Sequence, residues 1–200
     1  MTDDSATAVP VPDSDSDIGV ATGTRRRTEA DAETGPVISG WRIRPYRSGD
    51  WAALCRIHDA ARLDELRDSA GVEAFLTLEE TFEEEGLFDG HVWVAEDPAA
   101  RPHHGVVGFV ALADDEVTWL YVEPARYGQG AGTALLRHAV DHGGPRVETT
   151  VLAGNRRALD LYLREGFVIV ETKEGRLAGN ETFPATGHIM ELRKPQSAES

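Results

Sequence analysis

Between Trp41 and Arg193 the apolar positions recur at short, regular intervals, whereas hardly any large apolar side chains precede Val37. "WRIRPYR" (41–47) alternates with period two and predicts a strand. In "SGDWAALCRIHDAARLDEL" (48–66), Leu54, Ile57 and Ala61 fall on one helical face, with Ser48 or Asp50 as candidate cap. "VEAFLTLEETFEEEG" (72–86) predicts a second helix, ended by Gly86. Three strands follow, "HVWVAE" (91–96), "GVVGFVALA" (105–113) and "EVTWLYV" (116–122), separated by Pro98, Pro102 and the Asp114–Asp115 pair. A helix to about His142, a strand "RVETTVL" (146–152), a helix "NRRALDLYLREG" (155–166) and strands "FVIVETK" (167–173) and "GHIMELR" (187–193) complete the series. The order β-α-α-β-β-β-α-β-α-β-β predicts a single α/β domain with one mixed sheet.

Composition divides the chain into a tail, residues 1–38, a domain, 39–195, and a flexible end, 196–200. The tail is too poor in large apolar groups to offset its ordering entropy and is expected to be disordered. Its "RRR" (25–27) reads as a charge cluster in a solvated segment. The net charge is -15, of which the first 37 residues carry -5, so the body is acidic too. Such a field repels nucleic acid and anionic membranes and favours cationic partners; any anion site must be built locally. The longest apolar run is far short of the roughly 20 residues a spanning helix needs. With one cysteine, Cys55, and no secretory pattern at the N-terminus, a cytoplasmic protein is expected. Only Lys173 and Lys194 are lysines, an arginine bias attributed to codon composition.

"LYVEPARYGQGAGTALL" (120–136) places Gly128, Gly130 and Gly132 between a strand and a helix. That junction offers unpaired helix N-terminal N–H groups to an anion, and the glycines let phosphate oxygens approach. Neither common nucleotide motif fits. A Walker loop ends in Gly-Lys-Ser/Thr, where this chain has Gly132-Thr133-Ala134, and the glycine spacing is not that of a dinucleotide fingerprint. The segment instead resembles the acyl-CoA signature of the GNAT superfamily of N-acetyltransferases, framed by Tyr127-Gly128-Gln129-Gly130-Ala131-Gly132. Tyr127 stands where that family commonly has Arg or Gln, with Arg126 one place earlier. A second stretch, "NRRALDLYLREGF" (155–167), is similar to the family's later Asn-x-x-Ala-x-x-x-Tyr-x-x-x-Gly-Phe motif at every position. The likeness covers about residues 41–194.

The resemblance implies a mostly antiparallel central sheet flanked by helices, and acetyl-CoA as co-substrate. Leu120, Tyr121, Val122, Tyr127, Gly128, Gln129, Gly130, Ala131, Gly132 and Thr133 would hold it, with Asn155 on its pantetheine arm and Arg156 or Arg157 at the phosphates. Tyr162, two turns beyond the cap candidate Asn155 on the same helix face, would protonate the departing thiolate. The implied reaction is direct attack by a primary amine of a small molecule or peptide, with N–H groups near Val122 stabilising the carbonyl charge. Cys55 then has no part. Glu116 is the first candidate for general base; Thr118 occupies another position where a base occurs, Glu123, Asp114 and Asp115 are rivals, and a water chain is an alternative.

Other readings remain open at this level. The chain can be an acetyl-CoA-binding sensor or scaffold, or an enzyme acting on protein N-termini or lysines. A pocket closed by residues 72–90 would favour small molecules, an open groove a peptide. The run Glu79, Glu80, Glu83, Glu84, Glu85 is a solvated helix face or a cation-attracting pocket mouth. His138 and His142 lack a completing ligand, so no metal is expected, and His188 is read as structural. Trp119 and Tyr121 either shape the acceptor pocket or pack the core. The exposed edge of the final hairpin suggests a possible homodimer.

Overall fold

The structure, a computed structural model, describes residues 35–100 and 105–195. Its strands are β1 (Val37–Ile38), β2 (Trp41–Pro45), β3 (His91–Glu96), β4 (Val106–Ala113), β5 (Glu116–Val122), β6 (Arg146–Leu152), β7 (Val168–Leu177) and β8 (Asn180–Arg193). The helices are α1 (Trp51–Arg67), α2 (Leu78–Thr81), α3 (Ala131–His142) and α4 (Arg156–Arg164). The strands form one sheet in the order β1-β2-β3-β4-β5-β6-β8-β7, antiparallel throughout except at β5–β6.

Both faces of this sheet are covered, so its central strands read as nearly continuous apolar runs. Against one face, Leu135 and Leu136 of α3 and Tyr162 of α4 pack with Ile43, Val110, Val147, Phe167 and Met190. Against the other, Leu54 and Ile57 of α1 pack with Leu78, Val94, Phe109 and Trp119. A register shift assigns residues to these two cores. Leu112 faces Val117 while Ala111 faces Trp119, so Thr118 is the extra residue of a bulge in β5. Val117 therefore joins the α3 side, and Trp119 and Tyr121 the α1 side.

The parallel contact is the feature that positions the site. β5 and β6 share one register pair, Glu116 with Glu148, and the Thr149 hydroxyl donates to the Val117 carbonyl (2.9 Å) just beyond it. No further ladder pair joins them among the described residues, and the strands part toward Val122 and Leu152.

The expected strands and helices are present, with four differences. Val37 and Ile38, assigned by composition to the tail, pair with Trp41 and Arg42 across a turn in which Ser39 and Gly40 both have positive φ. Asp50 does not cap α1: its carboxylate takes two bonds from Arg44 (2.7 and 2.9 Å) and one from the Arg47 N–H (2.9 Å). The second helix is broken into a 3-10 turn (Val72–Ala74) and the single-turn α2, which starts where Glu80 accepts from the Thr77 N–H (2.8 Å). Beyond it three successive glutamates repel one another, and the chain continues as turns to Gly86 at φ 61. The last strand begins at Asn180 rather than Gly187. Gly, Asn and Pro in "GRLAGNETFPATG" read as loop, yet they lie in a long β7–β8 hairpin whose register shifts between Arg176 and Leu177. The tail through residue 34 with its "RRR", His103–His104, and the end 196–200 lie outside the described residues.

Candidate active site

A cleft of about 1120 Å³ opens where β5 and β6 part. At one end stands the glycine loop. Gly128 (φ 74) and Gly130 (φ 87) take the left-handed conformation that favours glycine, and Gly130 forms the N-cap of α3. The first intrahelical bond runs from the Ala134 N–H to the Gly130 carbonyl (2.9 Å), so the N–H groups of Ala131, Gly132 and Thr133 have no carbonyl one turn back. All three residues line the cleft. Gly132 lies 3.4–3.5 Å, measured from where a Cβ would be, from Leu161 and Val122, so helix, sheet and α4 meet closely at this point.

Basic side chains flank the loop. The Arg157 guanidinium lies over the Tyr127 ring, 3.8 Å from its centroid, a cation–π contact. Burial raises the Tyr127 hydroxyl pKa, and Asp64 acts in the same direction while Arg157 opposes it. Arg126 reaches the cleft from the other side and pairs with Asp97 (3.7 Å).

α4 supplies the second motif. The Asn155 Oδ1 accepts from the Ala158 N–H (3.1 Å), the cap its sequence position predicts. Its Nδ2 donates to Glu65 (3.1 Å). Tyr162 is buried at the foot of the cleft with its ring edge-on to Phe167. Burial pushes its hydroxyl pKa up to about 12, the negative Glu65 adds to that, and the Thr149 hydroxyl opposes it. The phenol therefore holds its proton throughout the neutral range.

The wall opposite α4 comes from α1 and the hairpin tip. Glu65 accepts from Arg62 (2.7 Å), from the Tyr121 hydroxyl (3.0 Å) and from Asn155, which ties α1, β5 and α4 together. Leu177 packs with Leu66 and Ala74, and Asn180 donates to the Ala74 carbonyl (3.2 Å), closing the far end. Glu84, Glu85 and Glu181 stand there.

Of the residues singled out by sequence, Leu120, Tyr121, Val122, Tyr127, Gly128, Gly130, Ala131, Gly132, Thr133, Asn155, Arg156, Arg157, Thr118, Glu116 and Tyr162 line this one cleft. Gln129 does not: its side chain donates to the Ala125 carbonyl (3.2 Å), and its own carbonyl accepts from Trp41 (2.9 Å). Glu116 sits beside Glu148 at the joined end of the strands, its carboxyl pKa raised by desolvation and by that neighbour. Glu123 is paired with Arg56. Asp114 and Asp115 form the β4–β5 turn, where Asp115 accepts from the Gly144 N–H (2.7 Å). Burial pushes the Cys55 thiol up to about 11, which suppresses the thiolate. His188 and the Thr172 hydroxyl meet at 2.8 Å across the hairpin, and His138 and His142 pack on Trp93.

Arg62 and Glu65 are absent from the sequence reading, and Glu85 enters it only within an acidic run read as a solvated helix face or a pocket mouth. The first two had a signal: the stripe Leu54, Ile57, Ala61 continues into positions where the next inward residue is charged, and a charge in an apolar stripe needs partners.

Residues 88–169 match the acetyltransferase (GNAT) domain. The peptidyl-lysine N-acetyltransferase YjaB of Escherichia coli is 30% identical over 88 residues, 44% of this chain and 56% of that protein. The chain thus spans little more than half the length of this relative. Thialysine N-epsilon-acetyltransferase of Bos taurus is 28% identical over a match covering 66% of this chain and 87% of its own length. In fold, the chain is similar to yncA of Salmonella typhimurium, solved with its cofactor acetyl-CoA (TM-score 0.57, 21% identity, 80% of this chain and 97% of that one). Arabidopsis thaliana NAA60 with a bisubstrate analogue gives a TM-score of 0.55 at 22% identity, over 78% and 98%. Domain match, motif order and splayed sheet agree in one likeness: residues 88–169 are similar to the acetyltransferase (GNAT) domain, and the fold is similar to that of solved acetyltransferases.

Proposed function

We propose that this protein transfers an acetyl group from acetyl-CoA to a primary amine. The observation that carries this is the placement of two sequence-distant groups on one cleft: the α3 N-terminus with its glycine loop, and the buried, protonated Tyr162. The residues fit the co-substrate. The N–H groups of Ala131, Gly132 and Thr133, with the positive end of the α3 dipole, suit a pyrophosphate. Arg157, held on the Tyr127 ring, and Arg126 add cations there. Asn155 and the ends of Leu120, Tyr121 and Val122 line the path for the pantetheine arm.

Acetyl-CoA supplies the acyl group as a thioester. Backbone N–H groups at the end of β5, near Val122, stabilise the negative charge that develops on its carbonyl oxygen. Tyr162 donates its hydroxyl proton to the departing sulfur. No enzyme nucleophile is required, which agrees with the suppressed Cys55.

The acceptor is an amine on an aliphatic arm. The names of the two relatives describe lysine-type amines, and the far end of the cleft gathers Glu84, Glu85 and Glu181, which attract a cation. That end is walled by the hairpin tip and by Glu84 and Glu85 of the 72–90 segment, which supports a small molecule or a single extended side chain over a broad peptide surface. The exposed Val168, Ile169 and Val170 on the edge strand β7 support a homodimer. Among the described residues no helix is long and apolar enough to cross a membrane.

The test is thioester consumption with acetyl-CoA across polyamines, amino sugars, amino acids and short peptides, wild type beside Tyr162→Phe. The expected result is turnover with one acceptor class that drops about 10²–10⁴-fold in the variant, with calorimetric acetyl-CoA affinity retained. Tight binding without turnover of any acceptor would favour a sensor or scaffold instead.

A further inference from the structure

Resting on the acetyl-transfer reading, one residue of the acceptor end has the placement of a proton acceptor. An amine arrives as an ammonium ion and must lose a proton before its nitrogen can attack. Glu116 lines the cleft at its joined end, beside Glu148. Glu85 lines it at the end where the other acceptor-side carboxylates gather.

The backbone of Glu85 is fixed against the sheet, since the Trp119 indole N–H donates to its carbonyl (3.3 Å). Its side chain turns toward the β7–β8 tip, where Gly179 has φ 73 and where a Cβ would collide with the Glu85 carboxylate. The turn is thus bare at the position the carboxylate occupies. The Thr81 hydroxyl on α2, which donates to the Thr77 carbonyl (3.3 Å), lies close enough to the carboxylate to favour its charged form. The charged and titratable groups facing it are Arg62 and Glu65 from α1, Tyr121 from β5 and Glu181 from β8, with the buried His58 on the small cavity behind it. The single cation, Arg62, is already bonded to Glu65 and reaches Tyr121 (3.4 Å). Among the described residues Glu85 has no direct ion-pair partner of its own.

We propose that Glu85 is the general base that deprotonates the acceptor ammonium. Glu85 takes one proton from nitrogen. The neutral nitrogen forms the C–N bond to the thioester carbonyl carbon, and the C–S bond breaks. Tyr162 gives its proton to sulfur and regains one from the amide nitrogen; Glu85 then releases its proton to water. Burial raises the Glu85 pKa, with Glu65 and Glu181 acting in the same direction and Arg62 opposing, which moves its basicity toward working pH.

The experiment uses the full chain with acetyl-CoA and two acceptors, spermidine and an Nα-blocked lysine amide. Wild type, Glu85→Gln, Glu85→Asp and Glu116→Gln are assayed from pH 5.5 to 9.5. Glu85→Gln is expected to lower kcat about 10²-fold or more at pH 7, to keep acetyl-CoA affinity, and to lose the plateau that follows the wild-type acid limb of kcat/KM. Its residual rate then climbs tenfold per pH unit as solvent deprotonates the amine, and Glu85→Asp recovers part of the loss. Retained acetyl-CoA binding excludes unfolding as the cause. If Glu85→Gln keeps the wild-type rate and profile, or if Glu116→Gln alone carries the loss, Glu85 is not the base. If wild type consumes no thioester with either amine, the acetyl-transfer reading falls and the base with it.

Discussion

A phenol surrounded by Phe167, Thr149 and the field of Glu65 has little to stabilise its anion, so Tyr162 keeps its proton far above neutrality. With its pKa pushed up to about 12, the acid form persists across the assay range. No alkaline limb of kcat below about pH 10 should therefore come from this residue, and comparing the profile with that of Tyr162→Phe checks it. Tyr127 makes a different prediction. Where the family signature commonly has Arg or Gln, this chain has a ring that carries Arg157 on its face. Tyr127→Phe should leave the acetyl-CoA Kd in place. Tyr127→Leu should raise it about three- to tenfold, the ~0.5–1.5 kcal/mol of a cation–π contact, as read by calorimetry. A stability prediction belongs to Arg44, buried with Asp50 and Glu96. Arg44→Ala strands buried carboxylates and should cost roughly 3–5 kcal/mol in denaturant unfolding.

At the scale of elements, α4 links structure to chemistry, because its cap is also a cleft residue. Asn155→Ala removes the bond to the Ala158 N–H, a loss of about 1 kcal/mol of stability, and also releases Glu65. Because α4 carries Tyr162, kcat should fall by more than that stability loss accounts for, and parallel unfolding and rate measurements separate the two. Elements such as α3 and α4 were legible in the sequence because their boundaries are written locally, in Gly130, Asn155 and Gly166. The second predicted helix was misjudged because its propensity and apolar spacing say nothing of how three adjacent glutamates and the packing of Leu87 redirect the chain. The first half of β8 was hidden by Gly, Asn and Pro, which the long-range pairing with β7 overrides. The same division holds for the site. The loop and Tyr162 form contiguous motifs, whereas Arg62, Glu65 and Glu85 acquire their places only when α1 and the 72–90 segment are brought against the hairpin tip.

For the molecule as a whole, acid stability depends on buried rings: burial lowers the pKa of both His58 and His138, and His138 carries the larger shift. His138 packs edge-on to Trp93 and 4.2 Å from His142, and its Nε2 has no hydrogen-bond partner among the described residues. Burial first, and the neighbouring His142 second, lower its pKa to about 4. Unfolded, it titrates near 6.5, so between those values the unfolded chain binds the extra proton. Stability should therefore fall as pH drops from about 6.5 to 4, by on the order of 2–3 kcal/mol, and the fall should shrink in His138→Leu. Urea midpoints at pH 7 and 4.5 for both proteins would show it.

The single register pair between β5 and β6 has a mechanical consequence. The sheet divides into two plates, β1 to β5 and β6 to β8, joined at Glu116–Glu148, by Thr149 on Val117 and through the core they share under α3. A long ligand seated in the gap acts as a wedge that bears on both plates, so its binding energy becomes cohesion of the whole fold. At 100 times its Kd, acetyl-CoA should add about 2.7 kcal/mol to global stability. The amides of residues 118–122 and 149–152, along the open edges, should gain the most protection from hydrogen exchange, while those of β3 and β4 change least. The protein would then be stiffest when loaded.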